Sequence, residues 1–174
     1  MPSRRSVFGI VLALPGLLAG CGWTPLYANR ATEPANADLR AIRVAPIPER
    51  VGQRLEIALR GSLNPDGIPT RQRYVLNTTL KVSLADLGIE TQGLATRGEV
   101  DVVATVVLKR LETGKVLLTN TIRVSDSFDI GANGYANVVA QDDARTRSVE
   151  ELRQEIIARL TMFMQRRHDP ATGD

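Results

Sequence analysis
Apolar and polar residues follow two rhythms along this chain. From Tyr74 to Leu84 they alternate: Tyr74, Leu76, Thr78, Leu80, Val82 and Leu84 share one side, and Val75, Asn77, Thr79, Lys81 and Ser83 the other. A period of two with one apolar side predicts a strand whose second face meets water. Val100 to Leu111 and Val116 to Phe128 repeat the pattern, joined by the tight turn Glu112, Thr113, Gly114 and Lys115. A Gly-containing connection, Gly88 to Gly98, precedes them, so the three strands read as a meander. The second rhythm is helical. Val51, Leu55, Ala58, Leu59 and Leu63 recur three and four apart before Asn64, Pro65, Asp66 and Gly67, predicting a helix over Glu49 to Leu63. Beyond a break at Gly131 to Gly134, Val149, Leu152, Ile156, Leu160 and Phe163 predict a long amphipathic helix reaching Arg167. Leu39 to Ala45 alternates briefly and is closed by Pro46 and Pro48, which reads as a short strand. The order β-α-β-β-β-α predicts an α+β fold, two helices on one face of a four-stranded, mostly antiparallel sheet, with the polar face free.

The first twenty residues follow neither rhythm. Basic Arg4 and Arg5 precede the apolar stretch Val7 to Leu18 and the small residues Ala19 and Gly20, the layout of a secretory signal peptide. The stretch is shorter than the roughly 20 residues a spanning helix needs, and Pro15 and Gly16 interrupt it. Leu18, Ala19, Gly20 and Cys21 resemble the lipobox read by lipoprotein signal peptidase. The expectation is therefore cleavage before Cys21 and acylation of that cysteine. Each buried methylene contributes about 0.8 kcal/mol, and two or more chains anchor firmly. Mature bacterial lipoproteins carry three, a diacylglycerol and a further acyl group such as palmitate. Gly22, where an aspartate commonly retains lipoproteins at the inner membrane, favours the outer membrane by resemblance.

These features divide the chain into a signal peptide, 1–20, a lipidated N-terminus with a flexible tether, 21–38, an α+β domain, 39–168, and a loose tail, 169–174. Asn29 to Asp38 has no period of either kind. The tether from Gly22 to Asp38, at roughly 3.3 Å per residue, reaches up to about 55 Å.

Charge and composition narrow the function. The net charge is +3, and +1 once Arg4 and Arg5 are removed, which provides no steering field for nucleic acid. A single cysteine excludes an intrachain disulfide, and one histidine excludes the usual zinc sites. No catalytic constellation is legible. His168 lies past the last periodic residue and reads as a solvated terminal side chain. Asp142 with Asp143, and Glu150 with Glu151, are neighbours pointing about 100 degrees apart on a helix, so they read as solvated surface charge rather than an acid/base or metal pair. Gly88, Gly93 and Gly98 lack the helix and the Lys with Ser or Thr of a phosphate loop. No cofactor is expected beyond the covalent lipid on Cys21.

One run is more specific. Gly20, Cys21, Gly22, Trp23, Thr24, Pro25, Leu26 and Tyr27 carry the lipobox straight into a Gly, aromatic, x, Pro, Leu, Tyr motif. With the order of elements and a last helix containing Asp143, Ala144, Arg145, Glu150, Glu151, Leu152, Ile156 and Leu160, the chain resembles the LPS-assembly lipoprotein family, LptE. The resemblance implies an outer-membrane plug and assembly partner of the LptD β-barrel, delivering lipopolysaccharide to the cell surface. Arg97, Lys109, Arg110 and Arg123 are the cations placed to pair with lipid A phosphates, or are ordinary solubilising charge. Trp23, Pro25, Leu26 and Tyr27 pack at the membrane, against the barrel, or over one end of the core. An auxiliary lipoprotein of an ABC-type lipid transporter has a similar lipobox and size and is the alternative. A lipid-anchored hydrolase would need a nucleophile with a convergent base.

Overall fold
The computed structural model describes residues 34–89 and 95–168. Cys21, the lipobox and Trp23 to Tyr27 lie outside these residues, as does the tail from 169. Within them the elements are α1 (Pro34–Arg40), β1 (Ile42–Val44), α2 (Arg50–Leu63), β2 (Tyr74–Ile89), β3 (Ala95–Arg110), β4 (Val116–Asp129) and α3 (Gly134–His168). One four-stranded sheet has the order β1-β2-β3-β4, with β1 parallel to β2 and the other pairs antiparallel. This is the expected α+β arrangement with its mostly antiparallel sheet.

Two local expectations need correction. Pro34 to Arg40 is helical, so the last part of the expected tether belongs to the domain and the first strand shrinks to three residues. Proline suits a first helical position, and Ala35 and Leu39, one turn apart, are both buried. The connection placed between Gly88 and Gly98 is also shorter, because β2 runs to Ile89 and β3 restarts at Ala95. Gly98 sits inside β3 opposite Phe128, and a Cβ there would lie 2.4 Å from the ring's Cζ. The aromatic ring fills the space the glycine leaves.

The core lies between one sheet face and the two long helices. Leu76, Val102, Ala104, Val106, Leu108, Ile122 and Val124 face Leu55 and Leu59 of α2 and Leu152, Ile156 and Leu160 of α3, all buried. The Thr78 hydroxyl is buried on this face without a hydrogen-bond partner. Gly52 lets α2 approach closely, since a Cβ would stand 2.6 Å from the Ile47 side chain. Among the described residues no helix packs against the opposite face. Thr79, Thr105 and Thr121 stand in register across its three long strands, with Val103 and Val107 half-buried between them. The outer edge of β4 is partly protected by α3: Arg147 donates to the Ser127 carbonyl at 3.1 Å and Arg159 to that of Thr121 at 3.4 Å.

At the end of the sheet where β2 begins, a buried carboxylate joins three elements. Asp38 of α1 accepts hydrogen bonds from Arg73 at 2.5 Å and from the Tyr74 hydroxyl at 3.1 Å, and lies 3.1 Å from the His168 ring of α3. The expectation of a free, solvated His168 is thereby corrected. Its ring remains partly exposed, but it is a partner of the buried Asp38.

Candidate apolar and cationic groove at the far end of the sheet
At the opposite end the sheet outruns its cover. α2 starts at Arg50, and among the described residues the far part of β2 is less covered than its start. Val82 is half-buried there and Leu84, on the same face, is 50% exposed. In the first turns of α3, Tyr135 is 79% and Val138 63% exposed. Val138 stands one turn before Asp142 on a common helix side, the side that meets α2. Val82 lines a cleft shared with the start of α2 and with Asp142 of α3.

Cations close the groove toward α2. A cleft of about 270 Å³ is lined by Glu49, Arg50, Val51, Arg54, Val82, Asp142 and Arg145. Arg54 donates to both carboxylate oxygens of Asp142, at 3.0 and 2.9 Å, and to the Thr146 hydroxyl at 3.3 Å. That bidentate bond is the main reason the Asp142 carboxyl is held below its usual range, with Arg50 and Arg145 adding their fields, and the Arg54 guanidinium is raised in return. Three cations thus surround one carboxylate, with Glu49 at the rim. Glu49, at the N-cap of α2, has φ 67 and makes no side-chain capping bond, so the first N–H groups of α2 add partial positive charge.

The four cations singled out in the sequence do not converge. Arg97 stands at this end on the opposite sheet face, 3.8 Å from Asp129. Lys109 is twelve residues along the same strand, about 40 Å away at roughly 3.3 Å per residue. Arg110 opposes Tyr74 on the helix side. Arg123 is midway and committed to Asp101 at 2.7 Å, a bond that lowers the Asp101 pKa and, with Ser125 at 2.8 Å, fixes its carboxylate. Asp142 is solvated, as read from the sequence, and is also the clasp between the two long helices through Arg54. Glu150 is clasped too, held down to about 2 first by its bond from Arg153 and then by Gln154. Among the described residues no three His, Cys, Asp or Glu side chains are grouped to hold a metal. None of the described helices is long and apolar enough to cross a membrane.

Sequence comparison finds no family model that matches and no curated protein that matches. Comparison of structures does find the fold elsewhere. A chain described as a lipoprotein of Caulobacter crescentus aligns with a TM-score of 0.61 and 21% identity, over 75% of this chain and 95% of that one. A minor lipoprotein of Acinetobacter baumannii aligns at 0.57 and 15%, over 71% and 92%. An uncharacterized lipoprotein B of Nitrosomonas europaea aligns at 0.50 and 11%, over 71% and 86%. At such identities the likeness is one of fold, and this chain shares the α+β fold of bacterial chains described as lipoproteins.

Proposed function
We propose that this chain is an outer-membrane lipoprotein of the LptE kind, anchored through Cys21 and acting without catalysis as plug and assembly partner of an LptD-like β-barrel in lipopolysaccharide delivery. The observation that carries this reading is the run Gly20 to Tyr27, a lipobox continuing directly into an aromatic, Pro, Leu, Tyr motif, ahead of a domain of this fold. Two structural features support it. The open sheet face, rich in threonine and valine, offers a broad surface to a barrel wall, and the far-end groove offers apolar and cationic contacts to lipid A. Within that groove Arg50 and Arg145 replace the more scattered Lys109, Arg110 and Arg123 as leading phosphate contacts, and Arg97 stays a candidate on the reverse face.

The test is a pull-down of the tagged mature chain from detergent-solubilised outer membrane, with mass spectrometry of its companions and of its own N-terminus. A stoichiometric barrel of translocon size and a triacylated Cys21 are expected. Recovery with inner-membrane permease subunits alone would move the assignment to an auxiliary lipoprotein of an ABC-type lipid transporter.

A further inference from the structure
The end of the sheet where β2 begins collects charge of one sign. Arg40 closes α1, Arg71 and Arg73 precede β2, Lys115 sits in the β3–β4 turn, and Arg166 and Arg167 lie in the last turn of α3. The fold gathers them from across the chain: Arg73 donates its N–H to Ala41, Leu111 donates to the Arg73 carbonyl, and Arg167 lies over the Tyr74 ring. Against these six cations stand Asp66 and Glu112, both exposed, and Asp38, which is buried and already engaged. Over the rest of the described residues cations and carboxylates are nearly balanced. Among the described residues neither Arg71 nor Lys115 has an acidic partner.

The same rim carries three large apolar side chains in water: Ile68 at 79%, Val116 at 49% and Leu111 at 41% exposure. Ile68 borders a largely apolar cleft of about 410 Å³ with Val44, Pro46 and Pro69, edged by Arg43 and Arg60, while Leu111 and Val116 flank the β3–β4 turn beside Arg110 and Lys115. A protein interface has a charge-depleted centre, whereas exposed aliphatic side chains bordered by cations suit a headgroup layer, where cations meet phosphates and apolar groups enter the acyl boundary. The chain also enters the domain here. Ala37 of α1 lines the same cleft as Arg40, Ile68 and Arg71, and Pro34 is thirteen residues from Cys21, at most about 45 Å of chain.

From the cations, the exposed aliphatic side chains and the point of entry together, we infer that this end rests on the anionic phospholipid leaflet in which Cys21 is anchored, orienting the far-end groove away from it. The inference rests on the proposed acylation of Cys21 and concerns the anchored chain before it seats in a barrel, whose wall would separate the rim from the leaflet. Its test uses the mature chain purified from its membrane and reconstituted in phosphatidylcholine vesicles with or without phosphatidylglycerol, the N-terminal mass being checked first. A nitroxide on I68C reports the rim and one on L84C the far end, each read by accessibility to a lipid-soluble and a water-soluble relaxant.

The expected result is lipid contact at position 68 only when phosphatidylglycerol is present, with position 84 aqueous throughout. Reversing Arg71, Lys115 and Arg166 to Glu is expected to lower the association by on the order of a hundredfold, taking roughly fivefold per cation. A rim label that stays aqueous, or ignores either the lipid charge or the three reversals, overturns the inference. So does contact that appears only when a β-barrel is co-reconstituted, which would make the rim a protein interface. An unmodified mass at Cys21 would instead overturn the anchor reading, and the added chain's response at position 68 would still decide whether the rim docks.

Discussion
The two ends of the sheet use the same residue types for opposite purposes. Where β2 begins, Tyr74 is 1% exposed beneath α1 and the last turn of α3, with Asp38, Arg73 and His168 bonded around it. Ten residues along the same strand face, Leu84 is 50% exposed. The alternation is unbroken between them, so strand pattern alone does not decide what is covered. The lengths and starting points of the helices decide it, and at the far end Leu84 is left exposed.

The sharpest way to break this comparison is to truncate both residues. Tyr74→Ala removes a buried ring and its hydroxyl bond to Asp38 and is expected to lower stability by about 3–4 kcal/mol, while Leu84→Ala should stay within about 0.5 kcal/mol. Urea unfolding of the two variants measures both. Equal losses would mean that the far end is covered in solution and the groove does not exist.

Next in size is Asp38→Ala. Arg73 is 60% exposed and reaches water when its partner is removed, so the loss is the net value of the bonds and their geometry rather than that of a stranded charge. About 1–2 kcal/mol is expected, with faster amide exchange in α1 and the last turn of α3 and no change around Val138. Protection that falls evenly over the domain would show that the two ends are not separate units of stability.

A ligand-binding loss without a stability loss is the third outcome expected of the comparison. Leu84→Ser with Val138→Ser, and separately Arg50→Glu with Arg145→Glu, should leave the urea midpoint nearly unchanged and weaken binding of a phosphorylated acylated glycolipid about tenfold, or roughly 1.4 kcal/mol. Should Lys109→Glu and Arg110→Glu weaken binding more than either pair, the site lies at the other end.

The elements most legible in the sequence are those whose partners lie nearby in pattern. Val100 to Leu111 and Val116 to Phe128 carry their alternation and their turn within one hairpin, and Leu152, Ile156 and Leu160 carry their own period. What was illegible depends on distant partners. Pro34 to Arg40 reads as a linker until Asp38 meets Arg73, 35 residues on, and His168, 130 residues on. Gly98 reads as a loop glycine until the Phe128 ring is placed over it. The groove has the same origin: Arg54 and Asp142 are 88 residues apart, and no spacing rule brings the starts of two helices together. Tyr135 and Val138, apolar yet ahead of the periodic stretch that begins at Val149, are exposed in the first turns of α3.

The smallest expected effect is an acid response confined to the far half. Asp142 is held below its usual range by Arg54, and Glu150 is held at about 2, against an ordinary value of 4.5, by Arg153. A carboxylate with a depressed folded pKa binds no proton in the folded chain while the unfolded chain already takes one up. Its contribution is therefore complete above the ordinary carboxylate range and fades as pH falls, for Glu150 between about 4.5 and about 2. Both groups are solvated, so the urea midpoint should fall only slightly over that window. Amide exchange localises the effect better, since losing the Arg54–Asp142 clasp frees the start of α2 from α3. Exchange near Gln53 should rise before exchange near Tyr74 does, and Asp142→Asn should produce the same rise at neutral pH. Were Asp142→Asn silent at Gln53, the clasp would be an ornament of the surface, and the far-end cations would owe their placement to the helix starts alone.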